Sequence, residues 1–558
     1  MLKEKIKEFF SGDILEDNKT LTAYSHDASL FTVKPKLVVF PKTRNDLKNL
    51  IKYIGDNKKN DPSLSLTVRA AGSCMSGGSL NESIIADVTK YLNKIGDINE
   101  DGTLVEPGVF YRDFEVETLK KNLILPCYTA SKNLNALGGM IGNNSAGEKT
   151  LRYGKMEQFV LESKVIFSDG NEYLVKPLNQ EELNQKINQG DFEGNIYKRI
   201  KELLDKNIET IKGAEPKVSK NSAGYYLWNI RPDPVEGSEK MFDLNRLLVG
   251  SQGTLGIITE AKIKLVKVEP ASKLFVIFLP DLRHLAELVN VIIKTNPESI
   301  ESYDDATMKL AMRFFPEMLK TMKVKHFFKL IWSFVPEVGM MLKEGGVPKL
   351  IVLVEFAGKT EDEVNAKMKN LELNLRPFKY QMRLTHSVEE SDKYWTIRRE
   401  SFNLLRKHVR GSRTAPFIDD VIVRPEFMPE FLPKMREILD KNNLIYTIAG
   451  HAGNGNFHII PLMDMRKREN IEVIKEVGDE VYDLVARFEG SITAEHNDGI
   501  IRTPYLNKMF SNEALELFKM TKEIFDPKNI FNPGKKVPLS NEAGAGSIPY
   551  MCHHMSLE

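Results

Sequence analysis

A chain of 558 residues is long enough for two or three domains with substantial cores. Its 42% hydrophobic and 28% charged residues are ordinary for a globular protein, and a formal net charge of +1 leaves no basic excess to drive nucleic-acid binding, so no nucleic-acid partner is expected. The three cysteines, Cys74, Cys127 and Cys552, are too few and too scattered for a disulfide framework or an iron–sulfur cluster; a reducing cytoplasm fits.

The first ten residues, MLKEKIKEFF, read as a charged amphipathic helix without the apolar centre of a signal peptide. Residues 36–40 then read as a strand. Asn45 to Gly55 reads as a helix, with Leu47, Leu50, Ile51 and Ile54 at helical spacing. Leu64–Val68, Ile84–Val88 and Thr103–Val105 read as strands, and Tyr111–Lys120 as a helix leading into an extended Leu123–Pro126. Strands and helices alternate without the regular beat of a doubly wound sheet, so the fold class is α+β. Near residue 270 the character changes. Strands at Lys273–Leu279, Leu350–Phe356, Val421–Val423 and Ile445–Ile448 alternate with helices at Leu282–Ile293, Glu361–Leu373 and Pro429–Asn442. That order suits a split βαβ arrangement, an antiparallel sheet backed by helices.

No apolar run approaches the length of a membrane span. Lys320–Leu342, however, carries Phe327, Phe328, Leu330, Ile331, Trp332, Phe334 and Val335 among lysines. Such a stretch suits either a membrane surface or an amphipathic helix covering a core or a dimer contact. The last residues, 541–558, read as a disordered tail.

Three runs of small residues punctuate the first half. Arg69-Ala70-Ala71-Gly72-Ser73-Cys74-Met75-Ser76-Gly77-Gly78-Ser79 follows a strand, and its backbone N–H groups and hydroxyls are free to surround a pyrophosphate. The second holds Gly138, Gly139, Asn144 and Gly147; the third runs from Val249 to Thr259 and includes Ile257 and Ile258. Three such runs point to one extended ligand, of the size of an adenine dinucleotide, threaded between backbone segments. In the second half, His451-Ala-Gly-Asn-Gly-Asn-Phe-His458 is answered by Glu495-His496. Two imidazoles and a carboxylate can hold a divalent cation with positions left open. The two histidines do not share a helix face, so a strand–turn–strand with glycines at the turn is expected. Adjacent residues on an extended segment face opposite ways, so Glu495 can face the cation and His496 a different partner, as a base, whereas a local turn would bring both side chains into one cavity.

Together these motifs resemble the vanillyl-alcohol oxidase / p-cresol methylhydroxylase superfamily over about residues 20–540, and within it the D-lactate, glycolate and D-2-hydroxyglutarate dehydrogenases. The resemblance implies a two-subdomain FAD-binding domain of the p-cresol methylhydroxylase type over residues 1–268. It implies a ferredoxin-like cap, an FAD-linked oxidase C-terminal domain, over 269–500 and a return to the flavin site over 501–540. FAD would contact Arg69, Ala70, Ala71, Gly72, Ser73, Ser76, Gly77, Gly78, Gly138, Gly139, Asn144, Gly147, Ile257, Ile258 and Asn532. No histidine in the first run is placed to tether it, so binding would be noncovalent. His451, His458 and Glu495 align with metal ligands (Zn, Mn or Fe), Asn456 with a substrate-contacting residue, His496 with the base, and Arg398 with a carboxylate-gripping arginine.

The sequence departs from that pattern in four places. Ala70 and Ala71 stand in the first run, Cys74 replaces a usual glycine, and Gln252 a usual glutamate. Ile418 occupies the place of a lysine that greets a second carboxylate, which argues against 2-hydroxyglutarate and toward a D-lactate-like substrate. The implied partners are a small 2-hydroxy acid and an electron acceptor: a quinone, a cytochrome, a flavoprotein or an iron–sulfur subunit. Peripheral contact with the inner face of a membrane and a homodimer complete the expectations.

Overall fold

The computed structural model describes residues 2–232, 240–313, 346–385, 387, 390–399, 411–539 and 542–556. The aromatic stretch 320–342 lies outside them. Two four-stranded sheets and a two-stranded pairing of Leu123–Ile124 with Val266–Lys267 build the first half. One places Leu37–Phe40 and Leu66–Arg69 parallel to a central Ile84–Asp87, with Asp13–Leu15 antiparallel on the far edge. All four residues of Leu37–Phe40 and of Ile84–Asp87 are buried, as the near-continuous apolar runs require. Helix Arg44–Asn57 packs Leu47, Leu50, Ile51 and Ile54 into the same core and begins with a reciprocal capping box between Thr43 and Asp46. The second sheet is antiparallel, in the order Thr103–Val105, Ile257–Ile263, Val160–Ile166, Glu172–Val175.

The second half is an antiparallel sheet whose first four strands run in the spatial order Gln381–Leu384, Ala271–Leu279, Leu350–Gly358, Ser299–Asp304. With helices Leu285–Ile293 and Glu361–Leu375 as the crossovers, this is the ferredoxin-like pattern expected from the sequence. The sheet does not stop there. Ile445–His451 adds to the edge of Ser299–Asp304, Asn456–Met463 pairs with it as a hairpin, and Arg413–Thr414 and Val421–Ile422 both pair with Asn456–Met463. That extension carries the histidine motif.

The tail is a correction to the sequence reading. Ile548–His554 is a helix, capped by the Ser547 side chain on the Tyr550 N–H. Met551 and Met555 are buried, Phe31 and Met555 form a β-bridge, and Thr32 N–H donates to the His554 carbonyl. Two buried methionines were a core signal that the Gly/Ala/Ser-rich lead-in obscured. Among the described residues no helix is long and apolar enough to cross a membrane.

Candidate active site

The hairpin Ile445–His451/Asn456–Met463 turns through Ala452–Gly455. Gly455 has a φ of +73°, and a Cβ there would overlap the Val423 carbonyl; only glycine meets both demands. Ala449 pairs with His458 across the hairpin and His451 with Asn456, so the imidazoles stand near each other with ring centroids 5.3 Å apart. The segment carrying Glu495 and His496 is irregular. Asp420, at a φ of +75°, accepts the backbone N–H groups of Glu495 (2.8 Å) and His496 (2.7 Å) and the Thr493 hydroxyl (2.7 Å) on one carboxylate oxygen.

This clamp bends the segment, and both side chains enter one cavity rather than opposite faces. The Nε2 atoms of His458, His451 and His496 lie 3.3, 3.4 and 3.8 Å from a single atom, Glu495 Oε1. Among the described residues, the group with metal-ligand spacing is His458, Glu495, His496 and Asp420, all within 4.8 Å of one another; the expected ligand His451 falls outside it. Asp420 is the least suited to ligation, because its other oxygen accepts the Asn456 amide at 3.0 Å.

Three charged groups that the sequence did not single out complete the cluster. Glu301, from strand Ser299–Asp304, accepts from His451 Nδ1 at 2.6 Å and also contacts the Arg398 guanidinium. Asp419 places one oxygen 3.1 Å from His458 Nδ1 and the other 2.8 Å from His496 Nδ1. Lys220, fully buried, reaches Glu495 Oε2 at 3.1 Å and Asn456 Oδ1 at 3.5 Å.

The electrostatics follow from that packing. Burial opposes charge on His458, but the attraction of Asp419 and then Glu495 outweighs it and pushes the imidazole up to about 10. His496 is raised too, against burial, by Asp419 and Asp420. Glu495 is held well below the usual carboxylate range: burial works the other way, and Lys220 and His451 overcome it. Asp419 is lowered, again against burial, by His496 and His458. Three imidazole nitrogens gathered around one carboxylate oxygen form an N/O donor set that fits Zn, Mn or Fe, a cation having to displace the protons that the carboxylates favour on His458 and His496.

Glu495 and His496 also line a cleft, together with Ala70, Ala71, Gly72, Ser73, Gly78, Gly138, Gly139, Ile257 and Ile258. The cradle fits an extended dinucleotide. A Cβ on Gly253, at a φ of +66°, would meet no heavy atom within 4 Å, and one on Gly139 only the Ala70 Cβ at 3.8 Å. The remaining expected contacts lie behind the cleft wall. Arg69 packs its guanidinium over the Tyr24 ring, 5.0 Å from its centroid, beneath the Gly72 turn. Ser76 accepts from the Gln252 amide, and Gly77 packs on Phe31 and Ile500. Asn144 is the left-handed cap of helix Leu137–Asn143, its amide turned to Glu157, and Gly147 lies against the Tyr128 carbonyl.

Asn532 joins the first run to the third by donating to the Gly78 (2.8 Å) and Gln252 (2.7 Å) carbonyls. Asn497 Nδ2 donates to the Gly250 carbonyl (2.8 Å), and Gln252 Oε1 accepts from the Gly499 N–H (2.9 Å). The cation cluster and the cleft are thereby one hydrogen-bonded unit. Asn456, fully buried, spends its amide on Asp420, the Val421 carbonyl and Lys220, and Ile418 is fully buried.

The chain is similar to known proteins. Residues 35–174 match the family described as FAD binding domain, and residues 269–536 match FAD linked oxidases, C-terminal domain. The chain is 28% identical over 543 residues to a D-2-hydroxyglutarate dehydrogenase of Pseudomonas putida, covering 96% of this chain and 51% of that protein. It is 24% identical over 542 residues to the glycolate oxidase subunit GlcD of Bacillus subtilis, covering 96% of each. The chain thus spans about half the length of the first of these relatives. Among solved structures, p-cresol methylhydroxylase with substrate bound superposes with a TM-score of 0.66 at 15% identity over 96% of each chain, which establishes a shared fold.

Proposed function

Because the chain belongs to the FAD-linked oxidases with a p-cresol methylhydroxylase-type FAD-binding domain, we propose that it oxidises a D-2-hydroxy acid to the 2-oxo acid. The observation that carries this reading is the convergence of three imidazole Nε2 atoms on Glu495 Oε1 at the wall of the cleft lined by the small-residue runs. When bound, the flavin supplies two-electron acceptance at the substrate carbon, and a divalent cation supplies Lewis-acid polarisation of the hydroxyl.

The protein's own groups do the rest. His451, His458 and Glu495 hold the cation. Arg398 pairs with the substrate carboxylate, for which a planar guanidinium is the matching partner. His496 takes the hydroxyl proton at Nε2. Asn456 holds Lys220 and Asp420 in place around them. Ala70–Ser73, Gly78, Gly138 and Gly139 carry backbone amides toward the dinucleotide phosphates without side chains in the way. With Ile418 where a lysine would meet a second carboxylate, the substrate is D-lactate-like rather than a dicarboxylate. Electrons then pass to a separate acceptor.

The test is anaerobic mixing of flavin-bearing protein with the two enantiomers of lactate, glycolate and D-2-hydroxyglutarate. D-lactate is expected to bleach the flavin absorbance fastest. Equal bleaching by L-lactate, or none by any 2-hydroxy acid, would contradict the reading.

A further inference from the structure

We infer that Asp419 is a positioning residue that ties the cation ligand His458 to the base His496; this rests on the function proposed above. The two oxygens of one fully buried carboxylate lie 3.1 Å from Nδ1 of His458 and 2.8 Å from Nδ1 of His496. The two rings stack, 5.1 Å between centroids and 20° between planes. A carboxylate accepts but does not donate, so Oδ1 holds the proton on His458 Nδ1 and leaves that ring's Nε2 lone pair for the far side, whereas Oδ2 faces His496 Nδ1 as a close charge contact without hydrogen-bond geometry. Both Nε2 atoms lie on the side of Glu495 Oε1. One side chain therefore sets the tautomer of the ligand and holds the base beside it by charge.

The backbone that carries the carboxylate is anchored. The buried Arg502 guanidinium donates to the Asp419 backbone carbonyl and to the carbonyls of Ile492 and Asn497, the latter two at 3.1 Å. Those two residues flank Glu495 and His496, so the loop bearing the ligand and base is pinned to the residue that orients them. The neighbouring Asp420 does a different job, since its oxygens are spent on backbone N–H groups, the Thr493 hydroxyl and the Asn456 amide. His451, the other imidazole, takes its orientation from Glu301 instead.

The isosteric D419N removes the charge that faces both rings, and one end of its amide is a donor rather than an acceptor. Flavin-bearing wild type and D419N are stripped of metal, and Co(II) is titrated in without substrate, following bound stoichiometry and the visible absorption of the cobalt site. Removing an outer carboxylate from a metal-bound histidine typically costs about 10- to 100-fold in affinity. The expected result is a loss of that size with an altered cobalt spectrum. On restoring saturating cation, flavin reduction by D-lactate should remain slow, whereas D419E, which keeps two acceptor oxygens, recovers part of both. An unchanged Co(II) affinity and spectrum in D419N would overturn the role of Asp419 and leave the cation site standing. Wild type that takes up no Co(II) would overturn the cation site, and the inference with it. If D419N and D419S both lose FAD as well as cation, Asp419 is a general fold support, and the specific coupling is wrong.

Discussion

At the scale of single residues, the site divides labour among neighbours. His496→Ala removes the base and leaves His451, His458 and Glu495 in place. It should retain cation and FAD while flavin reduction by substrate slows by about 10² to 10⁴, read by stopped-flow absorbance. Glu495→Ala removes the atom on which the imidazoles converge, so cation content by elemental analysis should fall toward zero. His451, His458, Glu495 and His496 were legible in the sequence because glycine and histidine density is a local signal. Glu301, Asp419 and Lys220 were not. Each is an ordinary charged residue in its own segment, and each becomes a site residue only through pairing. Glu301 meets a histidine 150 positions away and Lys220 a glutamate 275 positions away. Of the two backbones open to Glu495 and His496, extended or turned, the three bonds to Asp420 select the turn, and no local signal in the sequence decides between them.

At the scale of elements, one hairpin carries two of the three imidazoles, and its turn is the fragile part. A side chain at Gly455 would require a left-handed backbone and overlap the Val423 carbonyl. Gly455→Ala should therefore destabilise the protein by more than about 1 kcal/mol and lower cation occupancy, checked by thermal melting and elemental analysis. FAD content should fall less, because the cleft walls come mainly from other segments. The strand and helix order of both halves could be read from apolar spacing. The extension of the ferredoxin-like sheet by Ile445–His451 could not, since that pairing joins Ser302 to Gly450 across a long stretch of chain. The tail helix was missed for a related reason: its buried face is defined by Phe31 and Thr32 at the opposite end of the sequence. Deleting residues 548–558 should lower the melting temperature, and an unchanged melt would show that the docking of Met551 and Met555 contributes nothing to stability.

At the scale of the whole molecule, the two halves share one site. Asn497 and Gln252 stitch the loop of Glu495 and His496 to the small-residue runs of the first half, and Asn532 ties two of those runs together. Each such buried bond contributes about 1 kcal/mol, so the junction is stiff without any one bond being decisive. The protein should carry FAD that acid or heat releases intact; flavin retained on the denatured chain would refute noncovalent binding, and FMN in its place would refute the phosphate-cradling role of residues 69–79. The division of labour also predicts that cation and flavin can be removed separately while chemistry needs both. The most direct measurement is flavin reduction by D-lactate under anaerobic rapid mixing, on one preparation as purified, after chelation, and after a divalent cation is restored. The expected result is constant FAD content throughout, reduction abolished by chelation, and reduction regained with the cation. Reduction at an unchanged rate in protein shown by elemental analysis to hold no metal would contradict the account.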